Sequence, residues 1–149
     1  MSTPSHAKPV HFLLVEDDNA HAELVTMSLV ENNVANTIHR VSDGEQALKY
    51  LKREGEYADA DRPDLILLDL KLPKIDGLEV LERIKSDDDL HSIPVVVLTT
   101  SSHERDVNTA YNNYANSYLT KPVDFSQFHK MIRDLGLYWS VWNAPPVHR

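Results

Sequence analysis

The stretch Asp64-Leu65-Ile66-Leu67-Leu68-Asp69-Leu70-Lys71-Leu72-Pro73 is apolar from Leu65 to Leu68 and then ends on a carboxylate. A short run with no polar position has no solvent face. It therefore reads as a strand buried on both sides, the mark of a parallel strand covered by helices. Open α/β sheets keep their chemistry in the crevice beyond the carboxyl ends of their strands. Asp69 stands where such a group is expected, and a plain cap on the next helix is the alternative.

Other segments repeat the pattern. Val10-His11-Phe12-Leu13-Leu14-Val15 predicts a strand that runs into Glu16-Asp17-Asp18. A helix N-cap from Asp18 or Asn19 accounts for one of these acids but not for three. A helix is expected from about Ala20 to Glu31, with Ala22, Val25 and Leu29 inward, then a second strand over Thr37 to Val41. Ser42-Asp43-Gly44-Glu45 has the form of a capping box opening a helix through Lys52, with Ala47, Leu48 and Leu51 buried. Residues 53–63 are polar and read as a loop. Leu78, Leu81 and Ile84 mark the inner face of a helix from Gly77 to Ser86, and Asp87-Asp88-Asp89 lacks calcium-loop spacing and reads as a solvated turn.

Ile93-Pro94-Val95-Val96-Val97-Leu98 is another all-apolar strand, ending in Thr99-Thr100-Ser101-Ser102. Ser101 and Glu104 suggest a second capping box, and Val107, Ala110, Tyr111 and Tyr114 mark the face of the helix behind it. Ser117-Tyr118-Leu119-Thr120 is a short strand closed by Lys121-Pro122. Asp124 and Gln127 then open a last helix with Phe125, Phe128, Met131, Ile132 and Leu135 at helical spacing. Residues 1–9 are expected to be a disordered tail, 10–140 one domain, and 141–149 a C-terminal extension.

Composition narrows the chemistry. The net charge of −8 leaves no overall footprint for nucleic acid or an anionic membrane. With no cysteine there is no disulfide, thiolate metal site or cysteine nucleophile. The eight histidines are scattered without zinc-site spacing and read as mostly surface residues. No apolar run approaches a membrane span, and a cytoplasmic location is expected.

Alternating strands and helices argue a parallel sheet, whose strands all end on one side. Four tips then carry Glu16 with Asp17, Asp69, Thr99 and Lys121. With these residues in this order, the chain resembles the receiver domain of two-component response regulators, from Phe12 to about Leu137. The resemblance implies a flavodoxin-like (βα)5 fold, a doubly wound parallel five-stranded sheet of order 2-1-3-4-5 (an order that receivers are known for), with Asp17 beside Asp69.

The resemblance also implies a mechanism. Asp69 would take a phosphoryl group from a kinase histidine, with Mg2+ as cofactor. A carboxylate attacks an anionic phosphoryl group poorly unless charge is neutralised, and clustered acids repel one another without a cation. By family analogy the metal ligands are Asp17, Asp69 and the backbone carbonyl of Lys71, with Glu16 acting mostly through water. Lys121 and Thr99 would hold phosphoryl oxygens, and Tyr118 would turn inward on switching. The Lys121-Pro122 bond would be cis, which X-Pro bonds permit. Glu16 stands where many receivers have Asp. Lys71 is a cation where the family often has a neutral residue, which bears on aspartyl-phosphate lifetime.

After the last helix only about ten residues remain, so a single-domain regulator is expected. The Gly55-Glu56-Tyr57 loop, the segment from Ile93 to Ser101 and the tryptophan-rich end resemble the stand-alone regulators of bacterial and cyanobacterial phytochrome kinases. That subgroup implies a phytochrome-type sensor histidine kinase as partner and a homodimer assisted by Tyr138, Trp139 and Trp142, since such aromatics favour buried interface centres. A downstream phosphotransfer protein is a further expected partner, and no activity beyond the chain's own phosphotransfer and slow dephosphorylation is expected. Three rivals differ in class. A dehalogenase-like phosphatase needs an acid at position 71, a flavin module needs a Ser/Thr/Gly-rich loop in place of Glu16-Asp17-Asp18, and a degenerate docking receiver would not keep these acids.

Overall fold

The computed structural model describes residues 10–31, 37–99 and 117–120, together with Ser126, His129, Lys130, Arg133 and Asp134. Five strands form one parallel sheet in the order β2-β1-β3-β4-β5. They are β1 (His11–Val15), β2 (Thr37–Val41), β3 (Leu65–Leu68), β4 (Val95–Thr99) and β5 (Ser117–Thr120). Three helices, α1 (Asn19–Glu31), α2 (Gly44–Leu51) and α3 (Gly77–Lys85), connect the first four strands. The expected sheet and its order are present.

Two apolar layers explain the strand composition. One face of the sheet gives Leu13, Val15, Ile66, Leu68, Val95 and Val97 to a cluster with α2 and α3. The other face gives Phe12, Leu14, Leu65, Leu67, Val96 and Leu98 to a cluster with Ala22, Val25 and Leu29 of α1. Because β3 meets apolar side chains on both faces, every residue from Leu65 to Leu68 is fully buried. The unbroken apolar run is therefore the imprint of its central position.

Several local expectations shift. Asp43, not Ser42, caps α2, accepting from the Gln46 amide at 2.8 Å, while the Gln46 side chain reaches back to the Ser42 amide at 3.0 Å. On α3 the buried positions are Gly77, Val80, Leu81 and Ile84, and Leu78 is only partly buried. The 53–63 loop contains a short 3-10 turn at Gly55–Tyr57. Asp87 organises the following turn, with Oδ1 accepting from the Asp89 amide at 2.7 Å and the Leu90 amide at 3.1 Å.

Two histidines expected at the surface are structural. His11 lies with Nε2 2.6 Å from the Tyr50 hydroxyl and Nδ1 2.9 Å from the Thr37 hydroxyl. His39 stacks on Tyr50 with ring centroids 4.5 Å apart, and Tyr57 meets both rings edge-on. This cluster ties the edge strand β2 to α2 and to the 3-10 turn. It follows from aromatic bodies packing while polar tips find partners.

Candidate functional site

Parallel pairing sets the site. Val15 is in register with Leu68, so Glu16 and Asp69 leave adjacent strands at the same level. Their amides stay tied to the sheet: Glu16 N–H donates to the Val41 carbonyl at 3.0 Å, and Asp69 N–H to the Val15 carbonyl at 3.1 Å. Carboxylates carried this way are positioned by the sheet and not by a floppy loop. Glu16 is 1% exposed and Asp69 8%, whereas Asp17 is open to solvent.

The three acids after β1 divide their work. Asp18 is the cap of α1, accepting from the His21 amide at 3.0 Å. Glu16 turns inward, with Oε2 accepting from the Asp18 amide at 3.2 Å. Oxygens of Glu16, Asp17 and Asp69 lie within 4.8 Å of one another. Carboxylate oxygens at that spacing, two of them nearly buried, are the donor set of a hard divalent cation such as Mg2+, which keeps waters and takes few protein ligands. The residues present fit the ion.

The loop behind Asp69 is held from both sides. The Lys71 amide donates to Asp69 Oδ1 at 3.0 Å, restricting the carboxylate's rotation. Gly77 N–H donates to the Leu70 carbonyl at 2.9 Å, and the Gly77 α-carbon is pressed against the Asp69-Leu70 backbone, where a Cβ would come within 2.5 Å of Leu70 Cα. Gly44 approaches the same loop through Ile75. Between them Lys74 adopts a positive φ of 68°, and its ammonium lies 3.5 Å from Glu45 and 3.7 Å from Asp43.

The structure thus brings Glu16, Asp17 and Asp69 together and puts the Lys71 amide on Asp69. Thr99 is the last residue of β4, two positions past Val97, which is in register with Leu68, and Tyr118 is paired with Val97 from β5. Lys121, Pro122, Tyr138, Trp139 and Trp142 lie outside the described residues, and with them the expected cis bond and the expected dimer contacts. Two contributors carry little signal in the sequence. Gly77 marks there only the start of a helix. Arg40 carried one available signal, a lone charge on the α1-facing side of a strand whose neighbour on that face is Ile38.

The sequence model of the response regulator receiver domain matches residues 12–133. The chain belongs to the response regulator receiver family. This receiver is 44% identical over 138 residues to a probable methanogenesis regulatory protein, FilR2, of Methanothrix harundinacea, covering 93% of this chain and 88% of that one. It is also 44% identical over 131 residues to response regulator Rcp1 of a Synechocystis strain, covering 88% and 89% of the two chains. A crystal structure of the phosphorylated cyanobacterial phytochrome response regulator RcpA superposes on the receiver with a TM-score of 0.85 at 44% identity, covering 92% and 96% of the two chains. A crystal structure of Mn2+-bound Rcp1 gives a TM-score of 0.84 at 42% identity, covering 95% and 99%. Among the described residues, no helix is long and apolar enough to cross a membrane.

Proposed function

We propose that this receiver accepts a phosphoryl group from a sensor histidine kinase of the phytochrome class onto Asp69, with Mg2+ at Glu16, Asp17, Asp69 and the Lys71 carbonyl. The observation that carries the reading is the meeting of Glu16, Asp17 and Asp69 at adjacent strand tips. The phosphorylated state of RcpA, its description as a phytochrome regulator and the Mn2+-bound form of Rcp1 support the chemistry, the partner and the metal in turn.

An Asp69 carboxylate oxygen forms the new P–O bond as the P–N bond to the kinase histidine breaks. The imidazole nitrogen keeps the electron pair and takes up a proton. A bound Mg2+ supplies neutralisation of the carboxylates and of the phosphoryl oxygens. The Lys71 amide holds Asp69 Oδ1, which orients the attacking carboxylate. Thr99 and Lys121 serve the phosphoryl oxygens as hydrogen-bond donors, a charge-assisted bond being worth about 1.5–3 kcal/mol. Contacts of that size shift a two-state equilibrium, in which Tyr118 moves with Thr99. The Lys71 side chain, exposed beside the nucleophile, sets how fast water removes the group.

Beyond the site, the reading is of a cytoplasmic signalling protein that turns over no separate substrate, homodimerises with help from Tyr138, Trp139 and Trp142, and hands its signal on, a phosphotransfer protein being one recipient. The test is labelling with phosphoramidate, a small donor with a P–N bond, and then with a phytochrome kinase, with and without Mg2+. Mg2+-dependent labelling of the wild type that is lost in Asp69→Asn is expected. Labelling that survives Asp69→Asn overturns the assignment. Phosphoramidate labelling without kinase transfer overturns the partner alone.

A further inference from the structure

Arg40 sits on β2 opposite Leu14 of β1, on the face that packs against α1. Its Nε donates to the backbone carbonyl of Glu16 at 2.9 Å, and Nη1 donates to the Asn19 side-chain oxygen at 2.9 Å. One planar guanidinium thus spans the start and the end of the loop 16–19, which carries Glu16, Asp17 and the α1 cap Asp18. The third arm, Nη2, is buried with no hydrogen-bond partner among the described residues.

That third arm matters to the interpretation. A buried donor without a partner costs the fold free energy, and the neighbours on this face, Phe12, Leu14 and Ile38, would accept an apolar side chain. A strand residue chosen for packing alone would not be a half-satisfied cation. The two bonds that Arg40 does make both fall on the loop that presents the acids. Lysine, a point charge on a flexible stem, does not reproduce a two-pronged hold by a rigid fork.

We infer that Arg40 is a positioning residue for the divalent-cation site, clamping Glu16 and Asn19 so that the Glu16 and Asp17 carboxylates are held in place beside Asp69. This rests on the reading of the acid cluster as a Mg2+ site. Outer partners that orient metal ligands commonly account for tenfold or more in affinity. Arg40 holds the ligand residue through its backbone, so the lower end of that range applies.

The experiment titrates Mg2+ calorimetrically into full-length wild type, Arg40→Lys and Asn19→Ala, and measures the metal-free melting temperature of each. Arg40→Lys keeps the charge and loses the fork, so its Mg2+ affinity should fall about tenfold, and that of Asn19→Ala by a smaller factor. Amide exchange at Asp17 and Asp18 should quicken in both. A role confined to the fold would lower the melting temperature and leave Mg2+ affinity unchanged, and that result overturns the inference. Wild type that binds no Mg2+ overturns the cation site and the inference together, whereas tight wild-type binding with unchanged variants overturns the inference alone. If Arg40→Lys does not fold, Asn19→Ala decides the matter, because it cuts one prong and leaves Arg40 in place.

Discussion

Replacing Gly77 with alanine tests how the Asp69 loop is held. The added Cβ would lie 2.5 Å from Leu70 Cα, 2.8 Å from the Leu70 carbonyl oxygen and closer still to the Asp69 carbonyl oxygen. These are backbone atoms, and Asp69 is tied into the sheet through its amide, so no side chain can swing aside to make room. Overpacking a filled site costs about 1–3 kcal/mol. Alanine recovers at most about 1 kcal/mol of helix propensity, and less at Gly77, the first residue of α3. Because every clashing atom is backbone, the upper part of the range applies, and a net loss of about 2 kcal/mol is expected. For a chain of 149 residues each kcal/mol moves the melting temperature by about 2–4 °C, so Gly77→Ala should melt about 4–8 °C lower by calorimetry. The relief has to come from the loop, so Mg2+ should also bind more weakly and raise the melting temperature of the variant less than that of wild type. A variant that melts within about 1 °C of wild type and binds Mg2+ equally well would refute the claim that α3 braces Asp69.

Two other changes test the scaffold around α2. Asp43→Ala removes the cap on Gln46 and one of two carboxylates near Lys74, and should cost about 1 kcal/mol by thermal melt; Asp43→Ser should restore most of it, and a serine variant as unstable as alanine would exclude the cap as the cause. His39 has its pKa lowered from 6.5 by burial and by neighbouring His11, against a smaller upward pull from Glu56. The folded chain then refuses a proton that the unfolded chain accepts, so stability is full above about pH 6.5 and falls as the pH drops below it. Melting temperature should decline more steeply toward acid in wild type than in His39→Gln, and parallel profiles would remove His39 as the source.

The sheet was legible and the clamps were not, for one physical reason. A strand covered on both faces has no polar position, so Leu65 to Leu68 states its own burial, and the acid that follows must stand at a tip. Glu16, Asp17 and Asp69 could then be brought together by topology alone, and they do meet. Local patterns are degenerate by comparison. Ser42 with Glu45 and Asp43 with Gln46 both satisfy the spacing of a capping box. In the folded chain the helix begins at Gly44, which packs against Ile75, and Asp43 before it is extended, so Asp43 is the cap. Leu78 and Val80 pose the same difficulty on α3, where each fits a helical face with Leu81 and Ile84 and only Val80 is fully buried. Gly77 and Arg40 are hardest to read because each acts on another segment's backbone. A glycine announces only a missing side chain, and an arginine on an edge strand announces only a charge. Arg40 reaches the Glu16 carbonyl only once β2 and β1 lie side by side, and Gly77 meets Leu70 only once the connection from β3 to α3 closes on itself. The acids at the strand tips can be found by their type. The residues that hold those tips are found by position, because Arg40 and Gly77 act on backbone that only the fold brings near them.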